Sequence, residues 1–154
     1  MRWRRWAEED SGSAIIEFVF VAVIVMVPLV YLIAAVATVQ RNTLAVTQAA
    51  RNAGRAYATS ETPAQAQARV DAAVRLALAD EGLPNDTTVR FVRAGADCDA
   101  PQVRPRLAPG AEFTICVIRR VRLPAVPSVL TGRGIRTVGE YVVHIDDYRV
   151  VRAR

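Results

Sequence analysis

One apolar run near the start of the chain constrains its fold more than any other feature. Residues 18–39 contain no charged side chain, and a helix of that length is long enough to span a bilayer. A single glutamate, Glu17, stands at the beginning of the run. Because a carboxylate at the edge of a membrane segment is costly, we treat Glu17 as a candidate functional residue.

The length and charge of the chain limit what else it contains. With 154 residues, the chain holds at most one small domain beyond the apolar run. Arginine supplies all 20 basic residues, against 15 acidic ones, but the arginines are scattered along the chain rather than clustered with aromatic residues. This distribution favours a solvated basic surface, so we expect no specific nucleic-acid partner.

Helical patterns continue beyond the apolar run. Small residues recur at a spacing of three and four over residues 40–58, which predicts that the first helix extends to Ala58. Thr62, Pro63 and Gln65 carry the signals of a second helix start, including a capping box, and Gly82 ends that helix. The predicted stripe of the first helix comprises Leu44, Ala45, Gln48, Ala49, Asn52, Ala53 and Ala56. The apolar face of the second comprises Val70, Ala73, Val74, Ala77 and Leu78.

The C-terminal part of the chain alternates apolar and polar residues, as strands do. Three strands are predicted over residues 87–93, 112–123 and 138–145, with loops rich in proline over 94–111 and 124–136. The fold class is therefore α+β, with a small three-stranded antiparallel sheet packed against the second helix.

The pattern also predicts the domain organisation. Residues 1–12 form a leader too short to fold, residues 13–58 form the membrane helix with its extension, and residues 59–154 form a small α+β head domain.

Two cysteines, Cys98 and Cys116, follow the apolar run. If the head domain lies outside the cytoplasm, a disulfide is the natural interpretation, and it would contribute about 3 kcal/mol by the chain-entropy estimate. The alternatives are two buried free thiols, or half of a metal site that lacks its other ligands.

The apolar run has three interpretations. Arginines flank it almost equally, so their distribution favours a cytoplasmic N-terminus only weakly. The sequence Ala35-Val36-Ala37 permits cleavage after Ala37, as in a secretory signal, although the run is long for one. A plain signal anchor would leave Glu17 as an interfacial residue. In a prepilin-type signal, cleavage after Gly12 would make Glu17 the fifth residue of the mature chain.

The third interpretation rests on the motif Gly12-Ser13-Ala14-Ile15-Ile16-Glu17-Phe18. It resembles the signal of type IV pilin-like precursors, and most closely that of the TadE-like pseudopilins of Tad (Flp, tight adherence) pili. After the run, Gln40-Arg41 leads into an alanine-rich helix and then a paired-cysteine β region, which is also similar to that family. The major pilins of such systems are far shorter, which favours a minor subunit. They commonly carry tyrosine where this chain has Phe18.

The resemblance implies a function in pilus assembly or adherence. A prepilin peptidase would cut the Gly12–Ser13 bond at the cytoplasmic face of the cell membrane. Glu17 and Phe18 would then act in assembly, with the new amine pairing with Glu17 of a neighbouring subunit. The implied partners are the lipid bilayer, the peptidase, other pilin-like subunits and the Tad machinery. The implied location is a single-pass position in the cell membrane, or the pilus, with the head domain outside the cytoplasm.

An enzymatic function finds little support in the sequence. His144 is the only histidine, no motif places a base beside Ser11, Ser13 or Ser128, and neither a phosphate loop nor zinc-ligand spacing is present. The acidic pairs Asp97/Asp99 and Asp146/Asp147 supply too few oxygens for a calcium site. We expect no catalytic residue, cofactor or metal. The rival function is a membrane-anchored or secreted binding domain unrelated to pili.

Overall fold

The computed structural model describes residues 10–123 and 134–148. The elements, in chain order, are helix α1 (Asp10–Ala58), helix α2 (Pro63–Asp80), and strands β1 (Thr87–Arg93), β2 (Glu112–Val121) and β3 (Ile135–His144). The predicted α+β fold class is confirmed, including the continuation of the first helix to Ala58 and the three-stranded antiparallel sheet.

Three strand boundaries differ from the sequence-based expectation. β2 ends at Val121 rather than at residue 123, and β3 begins three residues early and ends at His144. The reason is the β2–β3 pairing, which runs as far as Val121 opposite Ile135 and so overrides the loop signals of the predicted 124–136 connection. Residues 124–133 of that connection lie outside the described residues.

The chain separates into two compact units, Met1–Ala37 and Thr38–Arg154. Helix α1 contributes to both, and it continues through Pro28 within the first. The second unit, which we call the compact unit, therefore contains the C-terminal part of α1 as well as α2 and the sheet.

The sheet has the order β1-β2-β3, so β2 is central and both of its neighbours run antiparallel to it. One face of β2 carries Phe113, Ile115 and Val117, which are buried together with apolar residues of α1 and α2. Alternation along the strand directs these side chains to the helical layer. The main core thus lies between the two helices and one face of the sheet.

The α1 stripe in this core differs from the predicted one. Ala45, Ala49 and Ala53 are buried as expected, whereas Leu44 is 64% exposed and Gln48 and Asn52 are also exposed. The buried face is instead completed by Asn42, Val46, Ala50 and Tyr57. The predicted stripe was therefore rotated by part of a turn, since small size alone does not show which side of a helix meets the sheet.

The start of α2 forms as predicted, with one change in the cap. Thr62 Oγ1 accepts a hydrogen bond from Gln65 N at 3.2 Å, as in a capping box. In a capping box the side chain of Gln65 would accept a hydrogen bond from the backbone N–H of Thr62. Here Gln65 Oε1 accepts instead from Glu61 N, one residue earlier, at 2.8 Å. Of the predicted apolar face, Ala73 is half-buried and the other four residues are buried, together with Ala66.

Two glycines let α1 lie directly on β3. A Cβ built on Gly139 would overlap the carbonyl group of Val46 and lie 2.5 Å from Thr47 N. A Cβ on Gly54 would meet the ring of Tyr141, with Cε1 at 2.8 Å. Glycine within a strand commonly marks such a close backbone approach. Gly139 therefore sets the distance between α1 and the sheet.

Candidate functional site

The first part of α1 is apolar and exposed on all sides. Apart from Tyr31, which is half-buried, its large apolar side chains between Ile15 and Val36 range from 46% to 74% exposed in the isolated chain. Among the described residues, Ala14–Ala58 is the one helix that is long and apolar enough to cross a membrane. A helix that is apolar all round is found in a membrane or in the interior of an assembly. This segment is therefore a candidate membrane span.

The predicted processing and assembly residues all lie at the start of α1. The helix begins at Asp10, so the Gly12–Ser13 peptide bond falls within its first turn. Glu17 and Phe18 are exposed, Phe18 by 74%. Residues 13 and 17 are separated by four positions, which places them on the same face of the helix. Both positions therefore lie on one side of the helical backbone at the entrance to the apolar segment.

Cys98 and Cys116 form the predicted disulfide, which closes a separation of 18 residues. The bond joins the loop after β1 to the central strand, on the sheet face opposite the helices. Cys98, Cys116 and Val92 are buried there, with Ala96, Ile118 and others against them. The disulfide therefore holds a short loop over this face and makes a second, smaller core, which explains why β2 is buried on both sides.

Arg90 and Asp99 secure the same loop. Arg90 donates to the carbonyl oxygens of Cys98 at 2.9 Å and Ala100 at 3.0 Å. Asp99 accepts from Arg136 of β3 at 2.8 Å. Backbone carbonyls are strong acceptors that need a partner when water is excluded. These bonds fasten the disulfide loop to both outer strands of the sheet.

The acidic pairs considered as calcium ligands have other partners. Asp97 accepts from Asp99 N at 2.9 Å, and Asp146 accepts from Tyr148 N at 2.9 Å, both within turns. Over residues 10–123 and 134–148, no three His, Cys, Asp or Glu side chains converge as metal ligands would. The acids therefore act in local turns and ion pairs in this part of the chain.

A polar cluster around the buried guanidinium of Arg119, at one end of the compact unit, was not predicted from the sequence. Arg119 is only 7% exposed, and its Nε donates to Asp86 Oδ1 at 2.6 Å. Its Nη1 donates to Asn42 Oδ1, also at 2.6 Å. A signal was present, because Arg119 continues the apolar alternation of β2 and must point towards the helices. A buried guanidinium requires partners, and Asn42 and Asp86 supply them, although the side chain of Asp86 is itself 52% exposed.

His144 lies between two carboxylates at the end of β3. Its Nδ1 is 3.1 Å from Glu112 Oε1, and its Nε2 is 3.5 Å from Asp147 Oδ2. The hydrogen bond to Glu112, and the negative charge of Asp147, raise the pKa of His144 above 6.5. The folded chain therefore holds a proton on His144 more readily than a free imidazole would.

We expect the pKa of His144 to exceed 6.5 and to fall in Glu112→Gln. Because the folded pKa is above the unfolded value, the pairing stabilises the fold below about pH 6.5 and this contribution is lost as pH rises through the folded pKa. Histidine NMR resonances report the titration directly, since the chain has 1 histidine. Asp146→Asn removes a neighbouring charge without touching the ring and serves as the control. An unchanged pKa in Glu112→Gln would contradict this assignment.

Comparisons of the chain with protein-family models, with curated proteins and with solved structures found no match.

Proposed function

We propose that this chain is a minor pilin or pseudopilin of a Tad-type pilus, similar to the TadE-like family. The observation that carries the proposal is the lone carboxylate of Glu17 beside the exposed apolar segment of α1, four positions after Ser13 of the Gly12-Ser13 pair. The disulfide-linked compact unit supports the same function, because small exported domains commonly use such a bond. In this function the chain is a substrate and an assembly subunit rather than a catalyst.

The first step is insertion and processing. The apolar segment of α1 spans the cell membrane with the leader in the cytoplasm, and a prepilin peptidase cuts between Gly12 and Ser13. Because that bond lies within the first turn of α1, the turn must unwind before the backbone can enter an active site. Gly12 favours both events, since glycine weakens a helix by about 1 kcal/mol relative to alanine and presents no Cβ to the peptidase.

The second step is pairing of the charges that cleavage creates. The new amine of Ser13 is positive, and it lies at the N-terminus of a helix, where the macrodipole disfavours a cation. In a bundle of apolar helices, an unpaired ammonium or carboxylate is strongly penalised. Glu17 relieves both costs when it binds the Ser13 amine of a neighbouring subunit, and this pairing fixes the axial register of the two helices.

A secreted or anchored binding domain is the second candidate function. It is favoured by one observation, namely that the division between the two units falls at the Ala37–Thr38 bond. A secretory peptidase acting after Ala37 would cut the same bond and would release the whole compact unit. The mature N-terminus distinguishes the alternatives, with Ser13 for the pseudopilin, Thr38 for a secreted domain and Met1 for a plain anchor.

We expect Gly12→Leu to abolish processing in cells that carry a prepilin peptidase. The leucine side chain strengthens the first helical turn and blocks close approach to the scissile bond. Intact-mass measurement of the purified protein would show the full leader retained, whereas the wild type would begin at Ser13. Ala37→Leu is the matched control, because it blocks only a secretory site. Processing that is lost in Ala37→Leu but kept in Gly12→Leu would refute the proposal.

A further inference from the structure

A cleft of about 650 Å³ opens at the end of the compact unit that holds the Arg119 cluster. Four parts of the unit form its walls: the first residues of the compact unit's α1 segment, the loop after α2, Thr88 at the start of β1, and residues 118–122 at the end of β2. All of these belong to the compact unit. The cleft is therefore a feature of the folded domain itself.

The walls of the cleft carry an excess of positive charge. Asp86 and Arg119 neutralise each other through their 2.6 Å ion pair. Arg120 and Arg122 also line the cleft and are exposed. Over the described ranges, no carboxylate lies within ion-pair distance of either one. Arg120 and Arg122 thus border the cleft without an anionic partner from this part of the chain.

Strand pairing adds to the unfavourable charge at this point. Arg120 lies directly opposite Arg136 in the β2–β3 ladder, and like charges placed opposite each other destabilise a sheet. Arg136 is compensated by Asp99 at 2.8 Å, whereas Arg120 has no such carboxylate in the described residues. An anion from outside the chain would supply the missing compensation. Guanidinium groups bind phosphate oxygens particularly well, through paired hydrogen bonds.

The position of the cleft in the chain indicates where that anion comes from. Thr38, which lines the cleft, directly follows Ala37 of the exposed apolar segment. The chain leaves the hydrocarbon layer at the depth of the lipid headgroups if that segment spans the membrane. We propose that the cleft binds the phosphodiester of an anionic phospholipid headgroup through Arg120 and Arg122. The proposal requires membrane insertion, but it is independent of pilus assembly and of cleavage at Gly12.

The test is lipid binding by the full-length chain in a non-ionic detergent. Dioctanoyl phosphatidylglycerol is titrated by calorimetry, with dioctanoyl phosphatidylcholine and inorganic phosphate as comparison ligands. We expect saturable binding of phosphatidylglycerol, and at least about 10-fold weaker binding by Arg120→Gln/Arg122→Gln, since each arginine contributes appreciably to attraction by anionic headgroups. The control is Arg104→Gln/Arg106→Gln, which removes two exposed arginines at the same spacing, away from the cleft, and should leave the affinity unchanged.

Each other outcome overturns the proposal. Equal weakening in both double variants would mean attraction by net charge alone, and tighter binding of inorganic phosphate than of the lipid would assign the cleft to free phosphate. If the cleft variant does not fold, arginine-selective labelling of the wild type replaces it. In that experiment phosphatidylglycerol should protect Arg120 and Arg122 more than Arg104 and Arg106, and equal protection would overturn the proposal. Failure here leaves the pseudopilin proposal standing, because that one is decided by the mature N-terminus.

Discussion

Replacing Glu17 by glutamine is expected to leave cleavage at Gly12 intact and to reduce co-assembly with other pilin-like subunits by at least about 100-fold. Glutamine has nearly the same shape and is exposed at the same position of α1, so the substitution removes only the charge. The Ser13 amine of the neighbouring subunit would then be buried without its partner, at a cost of about 3–5 kcal/mol. The measurement is the amount of processed subunit that co-purifies with pilin-like partners from membranes.

The control for Glu17→Gln is Glu61→Gln. Glu61 is an exposed glutamate of the compact unit, and its observed hydrogen bond uses the backbone nitrogen rather than the carboxylate. Both variants lose one negative charge, so only a specific ion pair distinguishes them. Normal assembly of Glu17→Gln, with the protein processed and present at the wild-type level, would remove the proposed function of Glu17.

The elements of this fold could largely be predicted from the sequence because their signals are local. The charge-free run, the cap at Thr62 and the alternation in β1 each depend on residues a few positions apart. The disulfide could be predicted because the chain has two cysteines, on the condition that the head domain lies outside the cytoplasm. The candidate residue Glu17 at the start of α1 could also be identified from the sequence, because it is a single charge beside an apolar run.

The features that sequence analysis missed depend on contacts between distant segments. Leu44 was assigned to the core because it fits a helical spacing, but the position of β3 decides which side of α1 is covered. Arg119 meets Asn42 and Asp86, which are 77 and 33 positions away. The cleft arises in the same way, because Asn42, Asp86 and Arg120 come together only through the fold.

Gly54 and Gly139 are also residues whose function in the fold depends on contacts between distant segments. In the sequence, Gly54 is a weak point in a helix and Gly139 is an interruption in a strand. In the structure, both are places where another part of the chain occupies the volume of a side chain. Their neighbours differ in kind, since Gly54 faces the ring of Tyr141 whereas Gly139 faces the backbone of α1. We therefore expect a glycine-to-alanine substitution to destabilise the fold by different amounts at these two positions.

Gly139→Ala is expected to destabilise the compact unit by about 3 kcal/mol or more. The added methyl group would overlap the carbonyl of Val46, and a helical backbone that is hydrogen-bonded along its length has little freedom to move aside. Thermal unfolding followed by circular dichroism, with the full-length chain in detergent, should show the midpoint lowered by about 10 °C. No positive φ is present at this residue, so the loss would come from the contact and not from backbone strain.

Two further alanine substitutions make the Gly139 result interpretable. Gly95 has a φ of 70° and no atom within 4 Å of a built Cβ, so Gly95→Ala measures backbone strain alone, at about 1–2 kcal/mol. At Gly54 the neighbours are the side chains of Tyr141 and Val143, which adjust more readily than a helical backbone, and the gain of about 1 kcal/mol in helix propensity offsets part of the cost. Gly139→Ala should therefore be the most damaging of the three. A variant as stable as Gly54→Ala would mean that α1 does not lie against β3 at Val46, and the distance between helix and sheet would then need another cause.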